Sequence, residues 1–194
     1  MEVKIDKRFD LPVSLDQAWA LLQDVHATAS CMPGAEITEQ LDSTHFNGRV
    51  HSRIGPAVMT FAGQIEVLEL DGHSHTLVLL GKGGDTSGSF ASMNLRAKLH
   101  SGESSQACIL EGSATITVSG RLAQFGSRLL LPVAETMLKT FISNFSSKAS
   151  SAAVCQDIST TSSGRAASSD LKILDVFFQV IGQWWARLWR KSSS

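Results

Sequence analysis

Apolar and charged residues alternate along the first ten positions of the chain, with Val3, Ile5 and Phe9 on the apolar side. This period of two predicts an amphipathic β-strand, because successive side chains of a strand point to opposite faces. Lys7 falls on the apolar side and interrupts the pattern.

The next segment has helical spacing. Ser14 and Gln17 form a capping-box pattern, and apolar residues recur three and four positions apart up to Val25. We expect this helix to end near His26, because the run Met32-Pro33-Gly34 is a turn signature.

The middle of the chain predicts a meander of antiparallel strands. Candidate strands cover residues 36–42, 45–54, 57–70, 75–82, 88–100 and 107–119, and turn-forming residues separate them. The dipeptide Asp71-Gly72 stands between two apolar runs and is the clearest hairpin signal.

The period changes again after residue 120. From Arg121 to Phe145 apolar residues recur mostly every four positions, which predicts one long helix with apolar side chains around more than half of its circumference. Such a helix needs cover on most sides. Pro132 lies inside it, removes one backbone donor and predicts a kink.

Two segments of different character follow. Residues 149–169 belong to a run rich in serine and alanine, and this composition predicts a flexible linker. Residues 170–191 predict a separate amphipathic helix. The residues of this helix that we expect to bind a membrane are Phe177, Phe178, Ile181, Trp184, Trp185, Arg187, Leu188, Trp189, Arg190 and Lys191.

The apolar face of this C-terminal helix has three other interpretations. It can pack against its own domain, occupy a groove of a partner protein, or span a membrane as a tail anchor. A spanning helix would expose four polar residues to lipid, namely Lys172, Asp175, Gln179 and Gln183. Three of the four tryptophans lie in the last eleven residues, and tryptophan prefers the headgroup region. These features favour a helix that lies in the membrane interface.

Composition narrows the class of protein. The 194 residues are 43% apolar and 18% charged, with a formal net charge of −1, which suits one domain with an appendage. Residues 1–150 carry 12 basic and 15 acidic side chains, a net charge of −3, which argues against a nucleic-acid-binding protein. Three cysteines without C-x-x-C spacing, and an N-terminus without an apolar segment, predict a cytoplasmic protein.

Four short motifs carry a family resemblance. They are Cys31-Met32-Pro33-Gly34-Ala35, then Ile54-Gly55-Pro56 followed by Phe61-x-Gly63, then Gly81-x-Gly83-x-Asp85-x-x-Gly88, and finally Gly120-Arg121-Leu122-Ala123-Gln124-Phe125-Gly126-Ser127-Arg128. Together they closely resemble the CoxG family of carbon monoxide dehydrogenase subunits, within the START-like (SRPBCC) superfamily, over about residues 1–148.

The resemblance implies an α+β helix-grip fold, in which a curved antiparallel sheet wraps around a long C-terminal helix and leaves an apolar cavity between them. A START-like domain would then cover residues 1–148. The ligand-binding residues expected at this cavity are Trp19, Met32, Phe61, Phe90, Met93, Leu95, Phe125, Leu129, Val133 and Met137. The alternative is that these side chains simply fill a core.

Signals for catalysis are mostly negative. The sequence contains no H-E-x-x-H, G-x-S-x-G or Walker A motif. The pair His73-x-His75 is a possible metal pair, but it lies beside the Asp71-Gly72 turn and no third ligand is evident, so exposed loop histidines are the better explanation. Cys31 precedes a turn and has either a packing role or a contact with a ligand. We therefore expect no catalytic residue, no metal site and no cofactor other than a bound quinone or lipid.

The resemblance implies a non-enzymatic accessory protein of a molybdenum-containing, CO dehydrogenase-type hydroxylase. It would bind an apolar small molecule, such as a quinone or lipid, and link the enzyme to the inner face of the cell membrane. One alternative is a recruitment or assembly factor that binds no ligand. Another is an enzyme that acts on a small hydrophobic substrate, since one fold hosts many functions.

Overall fold

The computed structural model describes the backbone of residues 1–54 and 57–157, and the side chains of residues 1–53 and 58–151. The predicted C-terminal helix 170–191, the predicted linker beyond residue 157, and the turn Gly55-Pro56 all lie outside the described residues. So does the side chain of Cys155.

Strands and helices follow one another in the order that the sequence predicts. They are β1 (Glu2–Leu11), α1 (Leu15–Leu22), α2 (Val25–Ala29), β2 (Ala35–Gln40), β3 (His45–Ile54), β4 (Ala57–Asp71), β5 (Thr76–Gly84), β6 (Phe90–Ser101), β7 (Cys108–Ser119), α3 (Arg121–Gln124) and α4 (Gly126–Asp157). The predicted α+β class is confirmed, and each end of the six meander strands lies within two residues of its predicted position.

The strands form one seven-stranded antiparallel sheet in the order β1-β7-β6-β5-β4-β3-β2. Consecutive strands of the meander are neighbours, with β2 at one edge of the sheet. Strand β1 pairs with β7 and forms the other edge. The pairing of β2 with β3 and that of β4 with β5 each contain one irregularity. Such bulges bend a sheet and increase its twist.

The two short helices after β1 begin at side-chain caps. The predicted capping box is present, because Gln17 N donates to Ser14 Oγ at 3.3 Å and Ser14 N donates to Gln17 Oε1 at 3.0 Å. The chain does not continue as one helix to His26. It stops at Leu22 and starts again at Val25, where the Asp24 carboxylate accepts from the backbone of Ala27 at 2.9 Å.

The last helical region differs from its prediction at both ends. A continuous helix from Arg121 is wrong, because Gly126 has a φ of +68°, a left-handed conformation that separates α3 from α4. At the other end, α4 continues to Asp157, so residues 149–157 of the segment predicted as linker are helical. Ala149 is completely buried, and this anchorage outweighs the serine-rich composition.

Cross-strand register divides the sheet into two faces, because paired residues of an antiparallel sheet share a face. We call the face that packs against α4 the inner face. The buried core lies on this face and forms two separate clusters. The first cluster contains Leu11, Val13, Ala18, Leu21, Leu22, Cys31, Leu77, Ala97, Leu99, Cys108, Leu110, Phe145 and Ala149. The second contains Met59, Val118 and Leu122, with Phe61, Phe125, Leu129 and Val133 packed against it.

Glycines occupy an unusual share of the inner face. Gly48, Gly63 and Gly83 stand side by side on β3, β4 and β5. A Cβ at Gly63 would collide with the carbonyl oxygen of Lys82, so the neighbouring strand approaches too closely for any side chain. Gly81 is different, because a Cβ there would meet no atom within 4 Å.

None of the described helices is both long enough and apolar enough to cross a bilayer.

The two classes of inner-face glycine predict opposite responses to the same substitution. Gly63→Ala should lower the free energy of unfolding by about 3 kcal/mol, because the added methyl group displaces backbone. Gly81→Ala should change it by less than about 1 kcal/mol, with stabilisation favoured, since alanine reduces the entropy of the unfolded chain. Urea denaturation of both variants measures the difference. Equal destabilisation of both would contradict the open space at Gly81.

Candidate functional site between the sheet and helix α4

The middle of the inner face is apolar and belongs to neither core cluster. Met93 and Leu95 stand there on β6, in register with Gly81 and Leu79 of β5. Both Met93 and Leu95 are only half-buried, although their face points toward α4. The interior between the two clusters is therefore incompletely filled.

Helix α4 repeats this division along one line of side chains. Leu129 and Val133 pack against the second cluster, whereas Phe141 and Phe145 pack in the first. Met137 lies between the two pairs at the same four-residue spacing and is half-buried. At this spacing each step turns about 40° around the helix, so Met137 lies about 80° from both Leu129 and Phe145, on the side between them. Both walls of the unfilled region are thus known: Met93 and Leu95 on the sheet, and Met137 on the helix.

Two glycines mark the empty volume on the sheet. A Cβ at Gly81 or at Gly112 would have no heavy atom within 4 Å. Gly112 pairs with Ala97 of β6, which belongs to the first cluster. Since interiors are normally packed as densely as organic crystals, open space above two inner-face positions indicates room for another molecule.

A groove of about 460 Å³ lies between β3 and α4 and shares Met137 with this region. Its residues come from the turn before β2, the end of β3 and the first half of α4: Pro33, Gly34, His51, Ser52, Arg53, Leu129, Pro132, Val133, Thr136, Met137 and Thr140. At its floor the Ser52 hydroxyl points to Met137 Sδ at 3.8 Å. The Thr136 and Thr140 hydroxyls donate to backbone carbonyls of α4 at 2.9 and 3.1 Å. Volumes of this order are typical of small-molecule sites.

The opposite side of the same region carries an ion pair. Lys7 Nζ lies 3.1 Å from Glu135 Oε1, joining edge strand β1 to α4. Lys7 pairs across the sheet with Gly112, the glycine with open space above it. The interruption that Lys7 makes in the apolar pattern of β1 therefore has a structural reason. Both side chains remain about half exposed, so the contribution of this pair to stability is small.

Seven of the ten predicted ligand-binding residues lie at this region. Met93 and Leu95 line its sheet wall, and Met137 lines its helix wall. The other four belong to the second cluster, which bounds the region at one end: Phe61, Phe125, Leu129 and Val133.

Phe90 requires a correction, because its ring does not face α4. Phe90 pairs with Gly84 and Ser119 on the outer face of the sheet, and it is 61% exposed. Since side chains alternate along a strand, Phe90 cannot share a face with Met93. Phe90 is thus excluded from the inner space.

Trp19 and Met32 also lie away from the middle of the inner face. Trp19 packs against the first cluster, with its ring edge-on to His75 at a centroid distance of 5.4 Å. This contact places Trp19 at the β4–β5 turn, the opposite end of the sheet from the groove. Met32 is half-buried in the turn before β2, next to Pro33 and Gly34 of the groove.

Cys31 is a packing residue of the first cluster, with 1% of its surface exposed. Burial raises the pKa of its thiol, and the nearby Lys148 only partly opposes this shift. Because the thiolate is the reactive species, such a thiol is poorly suited to nucleophilic chemistry. The surrounding turn is tied to α4, where Asn144 Nδ2 donates to the Cys31 carbonyl at 2.9 Å.

The polar side chains of the outer face form exposed ion pairs. A pocket of about 400 Å³ there is lined by charged residues of β1, β6 and β7. Within it Arg8 lies 3.5 Å from Glu111, which also meets His100 at 3.0 Å. Across the described residues no three His, Cys, Asp or Glu side chains are grouped as a metal site would require. His73 and His75 stand in the β4–β5 turn.

Two features of this region were not predicted from the sequence: the open space above two glycines, and the ion pair between β1 and α4. Gly81 and Gly112 create the open volume, and Lys7 with Glu135 closes one side of it. The signals were present in the sequence, because two glycines and one lysine occupy apolar positions of otherwise alternating strands. The partner of Lys7 lies 128 residues away and has no local signal.

Solved structures share this architecture at low sequence identity. A conserved protein from Geobacillus kaustophilus is 17% identical, with a TM-score of 0.70 over 77% of this chain and 97% of its own. The Zhui aromatase/cyclase from Streptomyces sp. R1128 is 13% identical, with a TM-score of 0.57 over 77% and 94%. A START superfamily protein from Mycobacterium smegmatis is 10% identical, with a TM-score of 0.54 over 77% and 98%. At these identities the likeness shows the START-like fold alone.

Sequence comparison is more specific than fold. Among proteins with curated functions, none matches the chain significantly. The family model for the carbon monoxide dehydrogenase subunits called CoxG matches residues 8–150, a range that includes β2 to β7, the groove and most of α4. Because this match spans well over half of the sequence, the chain belongs to the CoxG family.

Proposed function

We propose that this protein is a non-enzymatic accessory of a molybdenum-containing, CO dehydrogenase-type hydroxylase. It binds an apolar ligand, such as a quinone or lipid, and links the enzyme to the inner face of the cell membrane. The observation that carries the ligand-binding part is the unfilled apolar middle of the inner face, bounded by Met93, Leu95 and Met137. Family membership supports the enzyme partner.

The chemistry of the inner space favours binding over catalysis. Its described walls are hydrocarbon and thioether, and burial of apolar ligand surface there is favourable by about 25 cal/mol per Å². Two methionines in the walls suit ligands of varied shape, because their side chains are flexible and polarisable. The nearest titratable pair, Lys7 and Glu135, is engaged in an exposed ion pair.

The groove supports a route for the ligand. It lies between β3 and α4, shares Met137 with the inner space, and has Pro33 and Pro132 in its lining. An apolar molecule held there would cross between membrane and enzyme without exposure to bulk water. The predicted linker and amphipathic helix would keep the domain near the bilayer, so that a second encounter becomes effectively intramolecular.

Ligand binding is tested by native purification of the full chain, organic extraction and mass spectrometry. We expect a quinone or lipid in the wild-type extract. We expect Gly81→Leu to reduce its amount by about tenfold or more, because the new side chain occupies the open volume and a penalty of about 1.4 kcal/mol changes binding tenfold.

The matched control is Lys82→Leu, which adds the same side chain to the outer face one residue further along β5. This variant should retain the ligand. Extracts without quinone or lipid from the wild type, in a preparation that still binds the hydroxylase, would instead identify a recruitment factor with an unoccupied interior.

Membrane linkage by the C-terminal segment is tested by flotation with liposomes that contain anionic lipid. Truncation after Arg165, or joint substitution of Trp184, Trp185 and Trp189 by serine, should reduce the floating fraction by about tenfold. Undiminished flotation of both proteins would refute attachment through this segment.

A further inference from the structure

We infer that the domain itself has a bilayer-docking surface, at the end where α4 begins, and that this surface contacts anionic lipid headgroups. It is defined by Arg53, Val58, Phe90, Arg121 and Arg128. The inference deepens the proposed function and rests on it in one respect: the surface adjoins the groove through which the ligand would pass.

The arginines of the described residues fall into two groups. Arg8, Arg49 and Arg96 each lie within 3.5 Å of a glutamate carboxylate. Arg53, Arg121 and Arg128 are exposed and form no ion pair within the part of the chain that the structure describes. All three unpaired arginines stand at one end of the domain, at the end of β3 and at the starts of α3 and α4.

The position of Arg128 is unfavourable for the isolated domain. It lies in the first turn of α4, where the helix dipole is positive, and that turn contains no acidic residue. Of the acidic residues nearby, Glu2 meets Lys4 at 3.6 Å, whereas Asp85 accepts hydrogen bonds from Ser87 and Ser89 and keeps its negative charge. Three arginines against this one carboxylate leave net positive charge at this end, which is complementary to an anionic surface.

Exposed apolar side chains accompany these arginines. Val58 is 68% exposed and pairs directly with Arg53 across β3 and β4. Phe90 is 61% exposed, and its ring lies against Gly84, where an added Cβ would come within 2.9 Å of it. The ring is therefore held on the sheet by a neighbour that lacks a side chain. Arginine beside exposed phenylalanine and valine is the combination that an anionic membrane interface accommodates.

The location of the groove favours a bilayer over a partner protein. Arg53 of the docking surface also lines the groove, together with Leu129 and Pro132. A domain docked by this end would present the groove to lipid. An apolar ligand would then pass directly from the membrane into the groove, which shares Met137 with the inner space.

The experiment compares hydrogen exchange of the full chain with vesicles of phosphatidylcholine alone and vesicles with about a quarter phosphatidylglycerol. We expect protection of peptides covering residues 85–90 and 119–128 with the anionic vesicles, in addition to any protection of residues 170–191. Protection confined to the C-terminal segment would overturn the inference, as would protection of 85–90 and 119–128 by the hydroxylase but by neither kind of vesicle.

Two triple variants show whether the protection from exchange depends on this local surface or only on the net charge of the protein. R53Q/R121Q/R128Q should abolish the protection of residues 85–90 and 119–128, whereas R8Q/R49Q/R96Q removes the same charge from paired arginines and should preserve it. Phe90→Ser should weaken the protection of these two segments. Equal loss in both triple variants, at unchanged melting temperature, would reduce the effect to net charge and overturn the inference. Bound ligand in extracts of the wild-type chain keeps the proposed function standing whichever way docking turns out.

Discussion

The contact between one helix and a seven-stranded sheet is the interaction on which the rest of this structure depends. Helix α4 is anchored by Phe145 and Ala149 at one end and by Leu129 and Val133 near the other. These contacts remove enough apolar surface from water to fix the helix on the sheet. The middle is not needed for that purpose, and the side chains there, including Met137, remain half-buried. The two ends of this helix thus contribute the stabilising contacts, and its middle faces the unfilled space.

Glycine determines the shape of the space in two distinct ways. At Gly63 the strands approach so closely that no side chain fits. At Gly81 and Gly112 there is room for a side chain and none is present, which leaves volume open. Substitutions at the two kinds of position therefore report on different properties, backbone geometry in one case and capacity in the other.

The sequence predicted the order and nearly all the bounds of the strands, because alternation and turn residues are local signals. It also predicted which apolar residues belong to the long helix, because their four-residue spacing is a local signal as well. It failed at Gly126, whose left-handed conformation ends α3, and after Ala149, whose burial overrides a serine-rich composition. Phe90 was assigned to the wrong face, although the alternation along β6 already excluded it. The ion pair of Lys7 with Glu135 depends on the tertiary fold alone.

An unfilled interior has a thermodynamic consequence that suits a carrier. A core filled by its own side chains would be more stable, but it would have nothing to release. Under the proposed function, a bound apolar molecule would supply the missing contacts and would stabilise the folded state in proportion to the logarithm of ligand concentration over the dissociation constant. Few polar groups face the middle, so affinity follows from buried area and shape more than from directed hydrogen bonds. Release would then require a surface that offers the ligand comparable burial, and a bilayer is such a surface.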